Sequence, residues 1–471
     1  MLWFFFCIGL LILAYFTYGK IVEKIFVINP ERKTPAHAMA DGVDYVNMSN
    51  SKVFLIQLLN IAGLGPIFGP ILGALYGPVA MLWIVIGCIF AGAVHDYFSG
   101  MLSVRSNGAS VPTVVGDHLG AWAKHFMNIF ALVLLLLVGV VFVLGPAKLL
   151  ASLSPLNVMT WTFIIFAYYI LATLVSIDKI IGRFYPIFGA LLLFMSFGLT
   201  IGLIFSGKEF YSVGLDFFKN FDPSDPQLPI WPLIFITISC GAISGFHATQ
   251  SPLMARCIAN EKSGRMIFYG AMILEGIIGL IWCTLGLSFY DSPEALKAVI
   301  SEGSPSKVVH DISIALLGGV GGIVAILGVV ILPITSGDTA FRSARLIIAD
   351  FFKLSQKEMT KRLYIAVPLF ALGALISTVN FDIVWRYFGW ANQTTAAIML
   401  WAASAYLYKA NKFHWITTIP AVFMTSVVIT FLAYAKIGFG LNLQISTIIG
   451  VVGAIICLVL FFRLKKLPQN V

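Results

Sequence analysis

The sequence predicts an all-α polytopic membrane protein of about 13 transmembrane helices, with two five-helix units of opposite direction and three further helices. Three observations lead there. Hydrophobic residues make up 59% of the 471 and charged residues 11%, a balance foreign to soluble domains of this length. Thirteen runs approach the roughly 20 apolar residues that a helix needs to cross a bilayer. Two of these runs carry helix breakers near their centres, one in each half of the chain. Residues 1–471 are read as one transmembrane transporter domain.

Run 3–22 has no basic region before it and no small-residue cleavage site, so it reads as an uncleaved extra span. Runs 53–75, 78–104, 126–145, 160–177 and 184–206 form the first unit, 53–206. Only Tyr76-Gly77 separates its first two members. Runs 229–255, 266–288, 313–335, the short 364–378, and 382–408 form the second unit, 229–408. Runs 415–435 and 443–463 make a C-terminal pair, 415–463. The two broken runs start five spans apart, an odd number, so they cross in opposite directions and the two units are inverted. The symmetry lies in hydropathy and breaks, since no residue-by-residue repeat is visible.

With the N-terminus outside, the cytoplasmic loops hold 23 of the 30 Lys and Arg, among them Lys179, Arg183, Lys357, Lys465 and Lys466. That bias puts the C-terminus in the cytoplasm. The net charge of +9 therefore belongs to short loops facing lipid headgroups and does not point to nucleic acid. The expected partners are the bilayer and a small-molecule substrate. The six cysteines are scattered through apolar runs without metal-type spacing and read as small buried hydrophobes, so no metal and no cofactor is expected beyond a coupling H+ or Na+.

The first break reads Asn60-Ile-Ala-Gly-Leu-Gly-Pro-Ile-Phe-Gly-Pro70 and the second Cys240-Gly-Ala-Ile-Ser-Gly-Phe-His-Ala-Thr-Gln-Ser-Pro252. Pro66, Pro70 and Pro252 lack the N–H that would continue the ladder. Irregular backbone at bilayer depth survives only inside protein or beside a cavity. Paired breaks are therefore the sequence pointer to a transporter's binding site. Asn60, Gly63, Gly65 and Pro66 are candidates to present backbone to a substrate, with Gly73 as a packing residue. In the second break Ser244, Gly245, His247, Thr249, Gln250 and Ser251 are candidates, with His247 contacting a substrate carboxylate or accepting a proton. The competing reading has His247 satisfied by a carbonyl and merely pinning the break. Glu275, mid-span, is a proton carrier or an interhelical hydrogen-bond partner. Gln393, beside Asn392 and Thr394, lines the pathway.

His95, Asp96 and Arg105 are placed near the cytoplasmic end of their span, as a gate or as a helix-end cluster. Adjacent His95 and Asp96 are expected to point apart. Thr335, Ser336, Asp338 and Thr339 offer hard oxygens where a span meets the cytoplasm, with a helix cap followed by basic anchors Arg342 and Arg345 as the alternative.

Gly92-Ala-Val-His-Asp-Tyr-Phe98, Ser244-Gly-Phe-His-Ala-Thr-Gln-Ser-Pro252, and Thr335-Ser-Gly-Asp-Thr-Ala340 with Arg342 and Arg345 resemble the carbon starvation protein A family from about Gly19 to Gln393. The resemblance implies a bacterial inner-membrane carrier related to the amino acid–polyamine–cation superfamily, with the LeuT-like 5+5 plan. It also implies peptide uptake during starvation or proton-coupled pyruvate carriage. By analogy with that plan, the hydroxyls of Ser336 and Thr339 are expected near the first break, where they coordinate a coupling cation. The leading reading is a non-enzymatic secondary transporter for small carboxylates, working by alternating access. A channel-like pore and a membrane sensor are the alternatives. An enzyme is disfavoured because no span carries a metal pair, a nucleophile triad or a nucleotide motif.

Overall fold

The structure is a computed structural model describing residues 1–42, 44–174, 177–211, 214, 217–222, 228–354 and 358–464; for residues 174 and 177–185 it describes the backbone alone. Lys179, Arg183, Lys357, Lys465 and Lys466, counted above on the cytoplasmic side, lie outside the described side chains. Among the described residues all regular structure is helical. Lipid supplies no hydrogen-bond partner, so each crossing segment closes its own backbone ladder.

Each of the thirteen apolar runs overlaps at least one described helix. Nine described helices are long and apolar enough to cross a bilayer, and a tenth span forms if the bent pair Asn50–Ile61 and Gly65–Tyr76 counts as one. Three runs fall outside that set. Val158–Leu174 is a 17-residue helix. Run 229–255 is split into Ile230–Thr237 and Gly245–Ala255. Phe381–Lys409 is 29 residues long but carries the polar Asn392-Gln-Thr-Thr395 stretch.

Two helices that flank the breaks are not α-helical throughout. Val79–Arg105 contains a π-helical turn at Cys88–Gly92, and Glu261–Phe289 contains another at Arg265–Gly270. Such turns insert one residue into an α-helix and frequently mark functional sites. Pro293–Phe351 is interrupted at Gly303, Ser304 and Gly318, the last at φ +71°, and its buried residues become dense only along 319–351, from Gly322 onward. The helix packs against Ala121–Leu153.

Two sequence expectations change here. Helix 319–351 runs unbroken past Pro333 to Phe351, sixteen residues beyond Thr335. Thr335, Ser336, Asp338 and Thr339 therefore sit inside the bundle, and no helix cap forms there. Arg342 and Arg345 are not interfacial anchors: the Arg342 side chain is 10% exposed and Arg345 6%. Likewise Asp96 lies nine residues before Arg105, about 13.5 Å up the helix axis, and is fully buried.

Candidate functional site

The two breaks touch each other. Half-helices Asn50–Ile61 and Gly65–Tyr76 meet at 47° across Ala62–Leu64. A Cβ added at Gly65 would collide with Cys240 Sγ, and one at Gly69 would stand 3.0 Å from the Thr237 carbonyl. Glycine here is a condition of contact between the breaks. Gly73 meets the Ile238 side chain in the same way, and Gly63 meets the Phe142 ring. In this conformation Gly63 and Gly65 thus face protein, with Pro66 packed beside Gly241. A Gly63→Ala change would place its methyl 2.5 Å from the Phe142 ring. It should lower stability by about 1–3 kcal/mol, as overpacking does. Thermal unfolding in detergent should show most of that loss recovered in a Gly63→Ala, Phe142→Leu double variant. Equal losses in both backgrounds would show that the two sites are not in contact.

The second break is held open by a neighbouring carboxamide. Residues 238–244 are non-helical, with Gly241 at φ +82° and Ser244 extended. Asn392 Oδ1 accepts the Phe246 N–H at 2.7 Å and the Ser244 hydroxyl at 3.2 Å. Its Nδ2 donates to the Ser239 carbonyl at 3.0 Å. One side chain thus satisfies backbone groups on both sides of the interruption, which otherwise would be orphaned at helix ends. Gln393 Nε2 donates to the Phe235 carbonyl at 2.8 Å, and Trp83 Nε1 donates to the Ile238 carbonyl. Gly245 is required because any Cβ there would collide with the Asn392 carbonyl.

His247, three residues into the half-helix after this break, stands at the centre of a buried chain of ionisable groups. Its Nδ1 lies 2.8 Å from Asp96 Oδ2. Its Nε2 lies 3.1 Å from Glu275 Oε2, close but turned out of hydrogen-bond alignment. The other Asp96 oxygen is 2.8 Å from His95 Nδ1, and Glu275 Oε1 accepts the Gly241 N–H at 3.2 Å. All four side chains are wholly enclosed. The order is therefore His95, Asp96, His247, Glu275, then the backbone of the second break itself. Two expectations are corrected: His95 and Asp96 do not point apart, and Asp96 belongs to the break and not to a cytoplasmic helix end. The π-helical turn at Cys88–Gly92 offsets the phase of the helix that carries both residues, and His95 and Asp96 meet each other through their side-chain rotamers.

Hydrogen-bond chemistry limits what this chain can hold. A carboxylate oxygen only accepts. With both acids ionised, His247 carries N–H on both nitrogens. With Glu275 protonated, a neutral His247 donates from Nδ1 and accepts at Nε2. The proton has two seats, one small carboxylate rotation apart.

Around the chain are further buried polar groups. Among the described residues the Gln57 amide and Gln250 Oε1 are buried and unbonded, while Gln250 Nε2 donates to the Thr249 hydroxyl. Ser251 shares a 3.2 Å contact with Ser99 and donates to the His247 carbonyl. Asn60 is buried on the approach to the first break. Among the oxygens proposed for a cation, Ser336 alone meets the first break, 3.0 Å from the Leu59 carbonyl that the break frees. Thr335 and Thr339 hydroxyls turn to their own helix, and Asp338 faces Arg342 at 3.5 Å. Arg105 does not pair with Asp96. It clamps the fully buried Glu261 at 3.0 Å, the Tyr406 hydroxyl and the Val27 carbonyl. Cys240 Sγ, His247 Nε2 and a Glu275 oxygen lie within 4.8 Å of one another, near enough for an ion. Sequence reasoning missed Cys240, read there as a small hydrophobe. It also missed Asp96 as a member of the break, although its nine-residue distance from Arg105 was countable.

The same arrangement of helices occurs in solved structures of a manganese transporter from Eremococcus coleocola. A glutamate-to-glutamine mutant of it superposes with a TM-score of 0.59 at 12% identity over 90% of this chain and 97% of that one. A histidine-to-alanine mutant gives 0.57 over 88% and 93%. The fold is thus shared with a protein described as a manganese transporter. The sequence matches the carbon starvation protein CstA profile over residues 1–220, 147–292 and 305–433, and the chain belongs to that family. A Haemophilus influenzae protein described as an uncharacterized membrane protein is 57% identical over 64% of this chain and 95% of its own length. The Bacillus subtilis peptide transporter CstA is 28% identical over 88% of this chain and 87% of its own length. The Escherichia coli pyruvate/proton symporter BtsT is 28% identical over 58% of this chain and 47% of its own length.

Proposed function

We propose that this protein is a proton-coupled importer of small carboxylate nutrients, short peptides or pyruvate, that works by alternating access in the carbon-starvation response. The observation that carries this reading is the enclosed His95–Asp96–His247–Glu275 chain, which ends on the backbone of the second break. Ionisable side chains at bilayer depth are expensive and mark ion or proton paths. A proton moving between His247 and Glu275 changes the charge of the carboxyl that accepts the Gly241 N–H, and so couples charge to the geometry of the break. The substrate carboxylate is received by freed backbone and by Gln57 and Gln250, with Thr249 and Ser251 beside them. Ser244, Gly245 and Gln393 keep the break shaped. Ser336, with Thr335, Asp338 and Thr339, is a sodium site only if the carrier proves to be sodium-driven. Arg105 with Glu261 closes the cytoplasmic side. The 5+5 inverted LeuT-like plan, the 13 spans, the outside N-terminus and the cytoplasmic C-terminus belong to the same reading.

Purified protein in liposomes, loaded to give an inward pH gradient, should accumulate a labelled dipeptide or pyruvate several-fold above the level reached without the gradient. A protonophore should abolish the difference. No stimulation by a proton or a sodium gradient, for either solute, would overturn the proposal. A second reading, carriage of a divalent cation, is favoured by the Cys240, His247 and Glu275 cluster and is tested by adding manganese to the same vesicles.

A further inference from the structure

A cavity of about 700 Å3 opens where Ala121–Leu153 ends and Phe381–Lys409 begins, walled on one side by residues 300–311 of the interrupted helix. Its floor is Phe381, which is 6% exposed. The Phe381 ring stacks on Trp385 at 5.8 Å and meets Phe68 edge-on at 6.2 Å. Phe68 stands on the half-helix Gly65–Gly73, so three touching rings lead from the cavity to the first break. Lys148 lines the cavity three residues beyond Gly145, whose surface holds Leu64 of that break. Three residues of helix are about 4.5 Å. The cavity thus lies roughly one turn above the site.

Its charges are unevenly matched. Lys307 is paired with Asp311 at 2.9 Å and with Glu302 at 3.9 Å, and His310 lies 3.1 Å from Asp311. Lys148 differs: among the described residues it forms no ion pair, and its Nζ stands 4.6 Å from the Phe381 ring centroid. Asp382 acts on Lys148 electrostatically without reaching ion-pair distance, and a half-buried ammonium over an aromatic face with no ion-paired anion is a receptor for a carboxylate. At the exposed rim, Asp382 opens the Phe381–Lys409 helix and, apart from its longer-range attraction to Lys148, forms no ion pair among the described residues. The volume falls within the roughly 300–1,000 Å3 of small-molecule sites.

We propose that this cavity is a first binding site for the carboxylate of the transported solute. Lys148 receives the carboxylate, and Phe381, Trp385 and Phe68 form the barrier it crosses to reach the breaks. This rests on the transport reading above. A short peptide also brings an ammonium, for which Asp382 is the partner; pyruvate brings none.

The test measures binding and transport separately. Equilibrium dialysis of labelled dialanine and of pyruvate against purified protein should give an affinity that falls about tenfold in Lys148→Gln and is largely kept in Lys148→Arg, as expected for one charged hydrogen bond. Asp382→Asn should weaken dialanine alone if the peptide is the source of the carboxylate. If pyruvate is the source, only the Lys148 variants should act. In liposomes, Lys148→Gln should raise KM about tenfold with the maximal rate kept. Unchanged binding and KM in Lys148→Gln would overturn the inference while leaving transport intact. Binding of neither solute by the native protein would overturn it as well. Lys148-dependent binding without any gradient-driven uptake would overturn the transport reading and leave the cavity assignment standing.

Discussion

Accumulation driven by a pH gradient is expected to fall by about a hundredfold or more in a His247→Gln variant. The reason is electrostatic. Among the described residues His247 is the only cation-forming group between Asp96 and Glu275, at 2.8 and 3.1 Å. Removing one partner from a buried charged set costs about 3–5 kcal/mol, which corresponds to more than two orders of magnitude in an equilibrium. Glutamine keeps much of the shape and cannot hold the proton. The companion Glu275→Gln removes the second proton seat and leaves the Gly241 N–H with an amide oxygen to bond. It should therefore keep solute exchange across the membrane with no gradient and lose accumulation against one. Counterflow and gradient-driven uptake in the same liposomes separate these outcomes. If His247→Gln accumulated solute at the native level and with the native pH profile, the proton path would have to run elsewhere.

The largest structural loss is expected at Asn392. Truncation to alanine leaves the Phe246 N–H and the Ser239 carbonyl buried without partners. Each such group costs about 1–3 kcal/mol. The Ser244 hydroxyl would lose its acceptor as well. Asn392→Ala should thus lower stability by about 2–6 kcal/mol, seen as an earlier unfolding midpoint in detergent. Thr394→Ala, on another face of the same helix, should move it far less, because the Thr394 hydroxyl bonds only its own helix at Trp390. Similar shifts for both variants would mean that Asn392 does not hold the break.

Much of this is legible in the chain. Pro66, Pro70 and Pro252 announce interruptions because a missing N–H has the same consequence in any context. His247 and Glu275 stand out because charge is rare in apolar runs. What a linear reading does not tell is which residues face one another across helices. Proximity along the chain groups Asp96 with Arg105. In the structure Asp96 belongs to His247, 151 positions away, and Arg105 to Glu261, 156 positions away. Cys240 is invisible for the same reason, since the chain does not tell that it packs against Gly65 of the other break. The length of the helix through Pro333 escapes the sequence because neighbouring helices can support a proline inside the membrane.

The two widened turns, at Cys88–Gly92 and Arg265–Gly270, have a consequence for how this centre is encoded. Each adds one residue to its helix, and one residue is about 100° of azimuth. Asp96 and Glu275 follow those turns by four and five positions. The bearing of both acids towards the imidazole is thus set by a phase offset upstream, not by the acids' own neighbours. The charge constellation is written partly as a residue count, and an alignment that tracks only identities at 96, 247 and 275 would not see half of what specifies it.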